Sequence, residues 1–169
     1  LRYVITGAEK LPARVRDAFE SKFGLTPLEG YGTTECGPAV AFNVVDFRAP
    51  GFYQVGTKHG TVGHPIPGVS VKVIDPDSGQ ELPPGEAGLL HVKGPSIMTG
   101  YIGMPEKTAE VLHDGWYNTG DVAFLDEDGV ITITDRLARF SKIAGEMVPH
   151  TKVEEELHRL LGLREQSRA

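Results

Sequence analysis

The spacing of apolar residues changes several times along the chain, and each spacing predicts a different element. Leu1 to Thr6 is an apolar, β-prone run that ends at Gly7-Ala8-Glu9, which predicts a buried strand at the start of the chain. From Leu11 to Phe23 the residues Val15, Phe19 and Phe23 recur every four positions, Pro12 suits a first helical position and Gly24 a left-handed cap. An amphipathic surface helix is expected there. A second strand follows through Leu28, so the order strand, helix, strand predicts a βαβ unit. Parallel strands of that kind bring the next loop, Gly30-Tyr31-Gly32-Thr33-Thr34-Glu35, to their carboxyl ends, where α/β proteins bind ligands.

Beyond Gly56 the period falls to two. Val69, Val71 and Val73 alternate with polar residues, Asp75 to Gly79 reads as a turn, and Gly88 to Val92 reads as another strand, which together predict an antiparallel β-rich subdomain. A short helix is expected from about Glu106 to Leu112. Trp116 to Leu125 and Val130 to Thr134 then flank Asp126-Glu127-Asp128-Gly129 as a hairpin. After Asp135-Arg136 come a strand pair around Gly145 and a helix with Val153, Leu157, Leu160 and Leu161 on one face. The expected domain boundary lies near Asp135 to Leu137.

Composition narrows the class. With 169 residues, 40% hydrophobic and 24% charged, the chain has the make-up of an ordinary globular protein. Its 17 Lys and Arg against 23 Asp and Glu give a net charge of -6 without a dense basic run, which argues against nucleic acid as a partner. The single Cys36 can form neither an internal disulfide nor a Cys-rich metal site, and it fits a reducing compartment; a cytoplasmic location is the expectation. No apolar run reaches the ~18 to 20 residues that span a bilayer, and Leu1-Arg2-Tyr3-Val4 has no charged leader followed by an apolar stretch. The six histidines form no helical i, i+4 pair, so a zinc site has little support.

Tyr31-Gly32-Thr33-Thr34-Glu35 places a planar ring, a bare backbone, two hydroxyls and a carboxylate within five residues. These groups can stack a base, approach a nucleotide, bond phosphate and hold a cation. Mg²⁺ needs only one or two carboxylates beside phosphate oxygens and water, so Glu35 could serve without an acidic neighbour. A glycine-shaped turn with a solvated Glu35 is the competing reading of the same residues. Asp121 after Gly120 reads equally as a turn-starting carboxylate, and Arg136 as a solvated charge at a strand end. Trp116 and Tyr117 read as core aromatics, with Asn118 and Thr119 as turn formers. Asp126 to Gly129 reads as a solvated turn, since the twelfth position from Asp126 is Leu137, where a calcium-binding loop needs Glu.

Tyr31 to Glu35 resembles the signature of the adenylate-forming superfamily, which includes acyl-CoA synthetases, luciferases and the adenylation domains of peptide synthetases. Further blocks follow in that family's order: Gly60-Thr61-Val62-Gly63-His64-Pro65, Tyr101-Ile102-Gly103 with Pro105-Glu106-Lys107-Thr108, Gly115-Trp116-Tyr117-Asn118-Thr119-Gly120-Asp121, and Asp135-Arg136. The resemblance covers nearly the whole chain and implies an α/β then β-rich fold. Residues 1–135 would be the C-terminal portion of the large AMP-binding domain, with a βαβ end and an antiparallel β-subdomain. Residues 136–169 would be the hinge and the start of the small α+β C-terminal domain.

The same resemblance implies ATP and Mg²⁺ as cofactors. Thr34 and Glu35 would be catalytic, with Glu35 on the metal. Gly7, Ala8 and Glu9 would lie against the adenine, joined on the nucleotide by Tyr31, Gly32 and Thr33. Asp121 and Arg136 would hold the ribose hydroxyls, an apt pairing because a carboxylate can accept from two vicinal hydroxyls. The family's Thr-Ser-Gly-Thr-Thr-Gly phosphate loop and its catalytic lysine match nothing in these residues, so the chain is expected to be an inactive piece of a ligase. The hinge, at about Asp135 to Ala138, departs from the family pattern: Ala138-Arg139 stands where many members carry a charged residue after the Asp-Arg pair and one spacer.

The run Asp135-Arg136-Leu137-Ala138-Arg139-Phe140-Ser141-Lys142-Ile143, then Gly145 to His150 and Val153-Glu154-Glu155, is similar to one subgroup. This is the acyl-acyl-carrier-protein synthetase half of bifunctional 2-acylglycerophosphoethanolamine acyltransferases. It implies a fatty acid substrate, acyl carrier protein as thiol acceptor, and a parent enzyme at the cytoplasmic face of a bacterial inner membrane. Two alternatives stay open: an acyl-CoA or aryl-CoA ligase that uses coenzyme A, and a noncatalytic ligand-binding or scaffold fragment.

Overall fold

The computed structural model describes residues 1–137, 140–143 and 146–161. Strand β1 (Ile5–Thr6), helix α1 (Ala13–Phe23) and strand β2 (Leu28–Gly32) form the expected βαβ unit: β1 and β2 are parallel, with Ile5 opposite Leu28 and Thr6 opposite Glu29. The opening strand differs from expectation in length and burial. It has two residues, Leu1 is 99% exposed and Ile5 62% exposed, because β1 is the edge of its sheet and no described element packs over it. Helix α1 starts one residue later than expected. Pro12 is its N-cap, with an extended ψ of 136° and a carbonyl that accepts from Val15 and Arg16 N–H, and Gly24 closes the other end at φ 65°. No residue of α1 is buried, so its apolar stripe is present but uncovered among the described residues.

Half of the segment expected to be a loop is strand. Tyr31 and Gly32 belong to β2, which pairs antiparallel with β3 (Ala39–Phe42), and only Thr34–Cys36 turns, as one 3₁₀ turn. The glycines explain the pairing. A Cβ on Gly30 would overlap the Phe42 ring and one on Gly32 the Pro38 carbonyl, so only bare backbone lets the two strands close here.

Strands β4 (Phe47–Ala49) and β5 (Phe52–Gln54) form a separate exposed hairpin, and β6 (His64–Pro65) completes the sheet β1-β2-β3-β6. The period-two region forms the antiparallel second sheet. Its strands are β7 (Ser70–Ile74), β8 (Gly88–Lys93), β10 (Trp116–Leu125) and β11 (Ile131–Arg136) in the order β11-β10-β8-β7, with short β9 (Leu112–His113) beside β10. Helix α2 (Pro105–Val111) precedes β9. The hairpin β10–β11 runs further than expected, since pairing continues through Val122 opposite Asp135 to Asp121 opposite Arg136.

The two sheets meet where Gly63 bridges Ile131, with backbone bonds of 2.9 Å from Ile131 N–H to the Gly63 carbonyl and from Val62 N–H to the Ile131 carbonyl. Between them lies one core of Cys36, Val40, Ala41, Leu90, Val92, Tyr117, Ala123 and Ile131. Removing this apolar area from water is the main stabilising term of the fold.

The last strand pair is β12 (Phe140–Ile143) with β13 (Glu146–Pro149), followed by helix α3 (His150–Leu160). Val153, Leu157, Leu160 and Leu161 are exposed. Ala138 and Arg139 of the expected hinge, and Gly145 between the paired strands, lie outside the described residues. Among the described residues no helix is long and apolar enough to cross a membrane.

Candidate functional site

Asp121 is the most constrained polar residue of the site. It lies in β10, where the register against β8 shifts between Asn118 and Val122. That irregular stretch is closed by its own side chains: Thr119 Oγ1 donates to the Leu90 carbonyl at 2.9 Å and accepts from Asp121 N–H at 3.1 Å, while Asn118 Oδ1 accepts from Gly120 N–H at 3.0 Å. Gly120 has φ 72°, a conformation that suits glycine. The bulge leaves the Asp121 residue 3% exposed.

Two donors meet its carboxylate. Tyr31 Oη, 90 residues away in sequence, donates to Oδ2 at 2.5 Å, and Arg136 Nε donates to Oδ1 at 2.7 Å. Burial, reinforced by the Asp121 charge, pushes the Tyr31 phenol far above its ordinary value, so it remains a proton donor. The Asp121 bond likewise raises Arg136, whose side chain is 65% exposed. An ionised carboxylate has about four lone-pair sites. With one donor on each oxygen, Asp121 keeps acceptor capacity on both, aimed by a fixed frame. A vicinal diol matches that capacity.

Glu35 forms a second centre. The 3₁₀ turn is closed by Cys36 N–H to the Thr33 carbonyl at 3.0 Å and Gly37 N–H to the Thr34 carbonyl at 3.2 Å. It is anchored by the fully buried Cys36, whose thiol burial pushes up and whose Sγ accepts from Thr33 Oγ1 at 3.3 Å. This leaves Thr34 exposed and Glu35 half-buried. A backbone N–H holds the Glu35 carboxyl below the usual carboxylate range against the opposing effect of burial, with help from Tyr101, Thr33 and Arg136. It is ionised at neutral pH. Tyr101 Oη donates to Glu35 Oε1 at 2.9 Å, and the Tyr117 phenol lies beside Tyr101, raised by burial first and then by the Glu35 charge.

Gly7, Ala8 and Glu9 are exposed at the end of β1. A Cβ on Gly7 would stand 3.2 Å from the Gly30 carbonyl oxygen, so this segment runs against β2 one residue from Tyr31. Ala8 has φ 70°, which costs a residue with a Cβ roughly 1–2 kcal/mol. Strain of that kind collects at functional sites. The structure thus joins Tyr31, Asp121 and Arg136 by direct bonds, sets Gly32 to Glu35 immediately after Tyr31, and brings Gly7 against the same strand. Tyr101 and Tyr117 were missed as site residues. The only signal for Tyr101 was its place in a family-like block, and Tyr117 reads as a core aromatic, which it also is.

The residues fit a magnesium nucleotide. Among the described residues no group of three or more His, Cys, Asp or Glu could cage a metal. A cation at the ionised Glu35 would take its other ligands from phosphate oxygens and water, the mode Mg²⁺ favours.

A family described as "AMP-binding enzyme" matches residues 1–102. The chain belongs to this family. Among curated relatives it is 41% identical over 158 residues to a feruloyl-CoA synthase from Amycolatopsis sp, covering 94% of this chain and 30% of the relative. It is 40% identical over 138 residues to a long-chain-fatty-acid–CoA ligase of Salmonella typhimurium, covering 82% of this chain and 23% of the relative. The chain therefore spans about a quarter to a third of these relatives. Among solved structures, ATP-bound MatB from Rhodopseudomonas palustris superposes with a TM-score of 0.80 at 35% identity over 93% of this chain and 30% of that one. The O-succinylbenzoate coenzyme A synthetase of Bacillus subtilis in complex with AMP does so with 0.76 at 26% identity, over 94% and 31%. The β-rich sheets with few helices match the C-terminal part of adenylate-forming enzyme domains, as the sequence led us to expect.

Proposed function

We propose that this chain supplies the adenosine-binding and metal-binding half-site of an ATP-dependent acid–thiol ligase whose acceptor is coenzyme A. The observation that carries the reading is the Asp121 carboxylate, buried and aimed by Tyr31 and Arg136 in a chain of the AMP-binding family. The names of the relatives favour coenzyme A as acceptor.

In the reaction proposed, an acid carboxylate attacks the α-phosphate of ATP, giving acyl-AMP and pyrophosphate, and a thiol then displaces AMP to leave a thioester. Asp121 accepts the ribose hydroxyls, and Arg136 both fixes that carboxylate and presents its remaining donors to the sugar. The Tyr31 ring lies on the adenine, with Gly7, Ala8 and Glu9 along the base. Gly32 offers bare backbone, and Thr33 and Thr34 offer hydroxyl donors, toward the phosphates. Glu35 would hold Mg²⁺, which when bound would neutralise charge on the phosphates. Residues 1–135 form the large-domain portion and 136–169 the hinge and the start of the small domain.

A second reading keeps a fatty acid substrate but makes acyl carrier protein the acceptor, in an enzyme at the cytoplasmic face of a bacterial inner membrane. The run from Asp135 to His150 with Val153-Glu154-Glu155 favours it. Acylation of carrier protein but not coenzyme A by the intact protein would decide for this reading.

The thermal midpoint measured with and without Mg²⁺-ATP tests the site. A ligand that binds the folded state raises it, and Asp121→Ala should abolish the rise. A rise that survives Asp121→Ala would remove Asp121 from the site, and no rise in the intact protein would favour a noncatalytic scaffold. Residues 1–169 alone should release no pyrophosphate from ATP and acid, because the chain carries no phosphate-loop pattern and no match to the family's catalytic lysine. Pyrophosphate release above background would contradict this.

A further inference from the structure

Tyr101 takes no part in the reaction proposed above, yet its segment touches Glu35 twice. Met98 N–H donates to the Glu35 backbone carbonyl at 2.8 Å, and Tyr101 Oη donates to Glu35 Oε1 at 2.9 Å. The segment is itself held in place. Tyr101 N–H donates to Thr108 Oγ1 at 2.9 Å, and that hydroxyl donates to the Met104 carbonyl at 2.9 Å, so Tyr101 is tied to the first turns of α2. The preceding Gly100 has φ 149°, and a Cβ there would come 2.8 Å from Thr108 Cγ2. Gly100 and Thr108 thus form a close contact that aims the ring.

We propose that Tyr101 is a positioning residue for Glu35: its phenol holds Oε1 and so sets the orientation in which the carboxylate meets a divalent cation. This rests on the reading of Glu35 as a cation ligand given above and extends it to a residue outside the signature. A glutamate side chain loses substantial rotamer freedom when ordered, and a ligand ordered before the cation arrives spares that cost at binding. A neutral phenol suits the task. It donates one hydrogen bond without bringing a positive charge that would compete with the cation, as a lysine would, and the phenol of Tyr117, a core residue, lies beside it.

The test is Mn²⁺ binding followed by electron paramagnetic resonance of the free ion, in the intact protein saturated with a nonhydrolysable ATP analogue. Four proteins are compared: wild type, Y101F, E35Q and the double variant. Freeing the Glu35 side chain from this ordering should raise the apparent Mn²⁺ dissociation constant of Y101F roughly five- to tenfold. E35Q should raise it at least as much, and adding Y101F to E35Q should change nothing more, because the phenol acts through the carboxylate. Metal-free affinity for the analogue should be the same in all four. If E35Q weakens Mn²⁺ and Y101F does not, Tyr101 is not a positioning residue while Glu35 remains the ligand. Equal weakening by Y101F with and without E35Q would show a general structural effect and overturn the proposal. If neither substitution alters Mn²⁺ binding, the assignment of the cation to Glu35 falls, and the role of Tyr101 falls with it.

Discussion

Asp121 illustrates how a residue becomes a site by being denied its ordinary environment. Taken from water by the irregular stretch of β10, its carboxylate meets Tyr31 Oη on one oxygen and Arg136 Nε on the other. Tyr31→Phe keeps the ring and removes one of these donors. Urea unfolding should show a loss of about 1.5–3 kcal/mol, the range for a hydrogen bond to a charged group. An unchanged midpoint would mean that the short Tyr31–Asp121 contact contributes nothing to the folded state. The exposed pair of Lys58 and Asp126, 2.5 Å apart, should behave differently. Lys58→Ala should leave the unfolding midpoint nearly unchanged, because surface ion pairs contribute little, and a clear loss in the same assay would show that solvent does not screen this pair.

At the scale of elements, two glycines separate two physical effects. Gly24, the cap of α1, has open space around its would-be Cβ but a φ of 65°, so Gly24→Ala carries only the left-handed backbone cost, about 1 kcal/mol. Gly32 has the opposite problem: a Cβ there would overlap the Pro38 carbonyl, a backbone atom that cannot move aside without opening the β2–β3 pairing. Gly32→Ala should cost more than Gly24→Ala, toward the upper end of the roughly 1–3 kcal/mol typical of overpacking. It should also displace the Thr33 to Glu35 turn, which amide shifts in that segment would report. A Gly32→Ala protein with unchanged stability and unchanged shifts would contradict the close approach.

For the whole molecule, pH dependence reports the positive face of the second sheet. His91, on β8, is held below its ordinary value of 6.5, first by burial and then by the positive charges of Lys72 and His113. The folded state therefore prefers neutral imidazole. Below about pH 6.5 the unfolded chain binds the proton more readily, so this residue's contribution is present at higher pH and is lost as pH falls through the lowered folded value. His91→Gln should flatten the fall in stability between about pH 7 and pH 5. Equal slopes for wild type and variant in urea unfolding across that window would show that His91 titrates alike in both states.

The sequence by itself determined the βαβ start with its amphipathic helix α1 and the β10–β11 hairpin, because these follow from local periodicity, turn residues and caps, whereas β3 to β6 and β9 carried no pattern that was read. It also carried Tyr31, Asp121 and Arg136 as candidates through their place in family-like blocks. Local pattern misread β2, since a glycine-rich stretch looks like a loop until a partner strand approaches closely enough to need those glycines. It also predicted burial for Leu1 to Thr6, because an apolar run does not say whether an element will cover it. Only the tertiary structure decided that Tyr31 bonds Asp121 across 90 residues and that Tyr101 bonds Glu35 across 66. Contacts of that range depend on how two sheets pack, and no spacing within one segment encodes that packing.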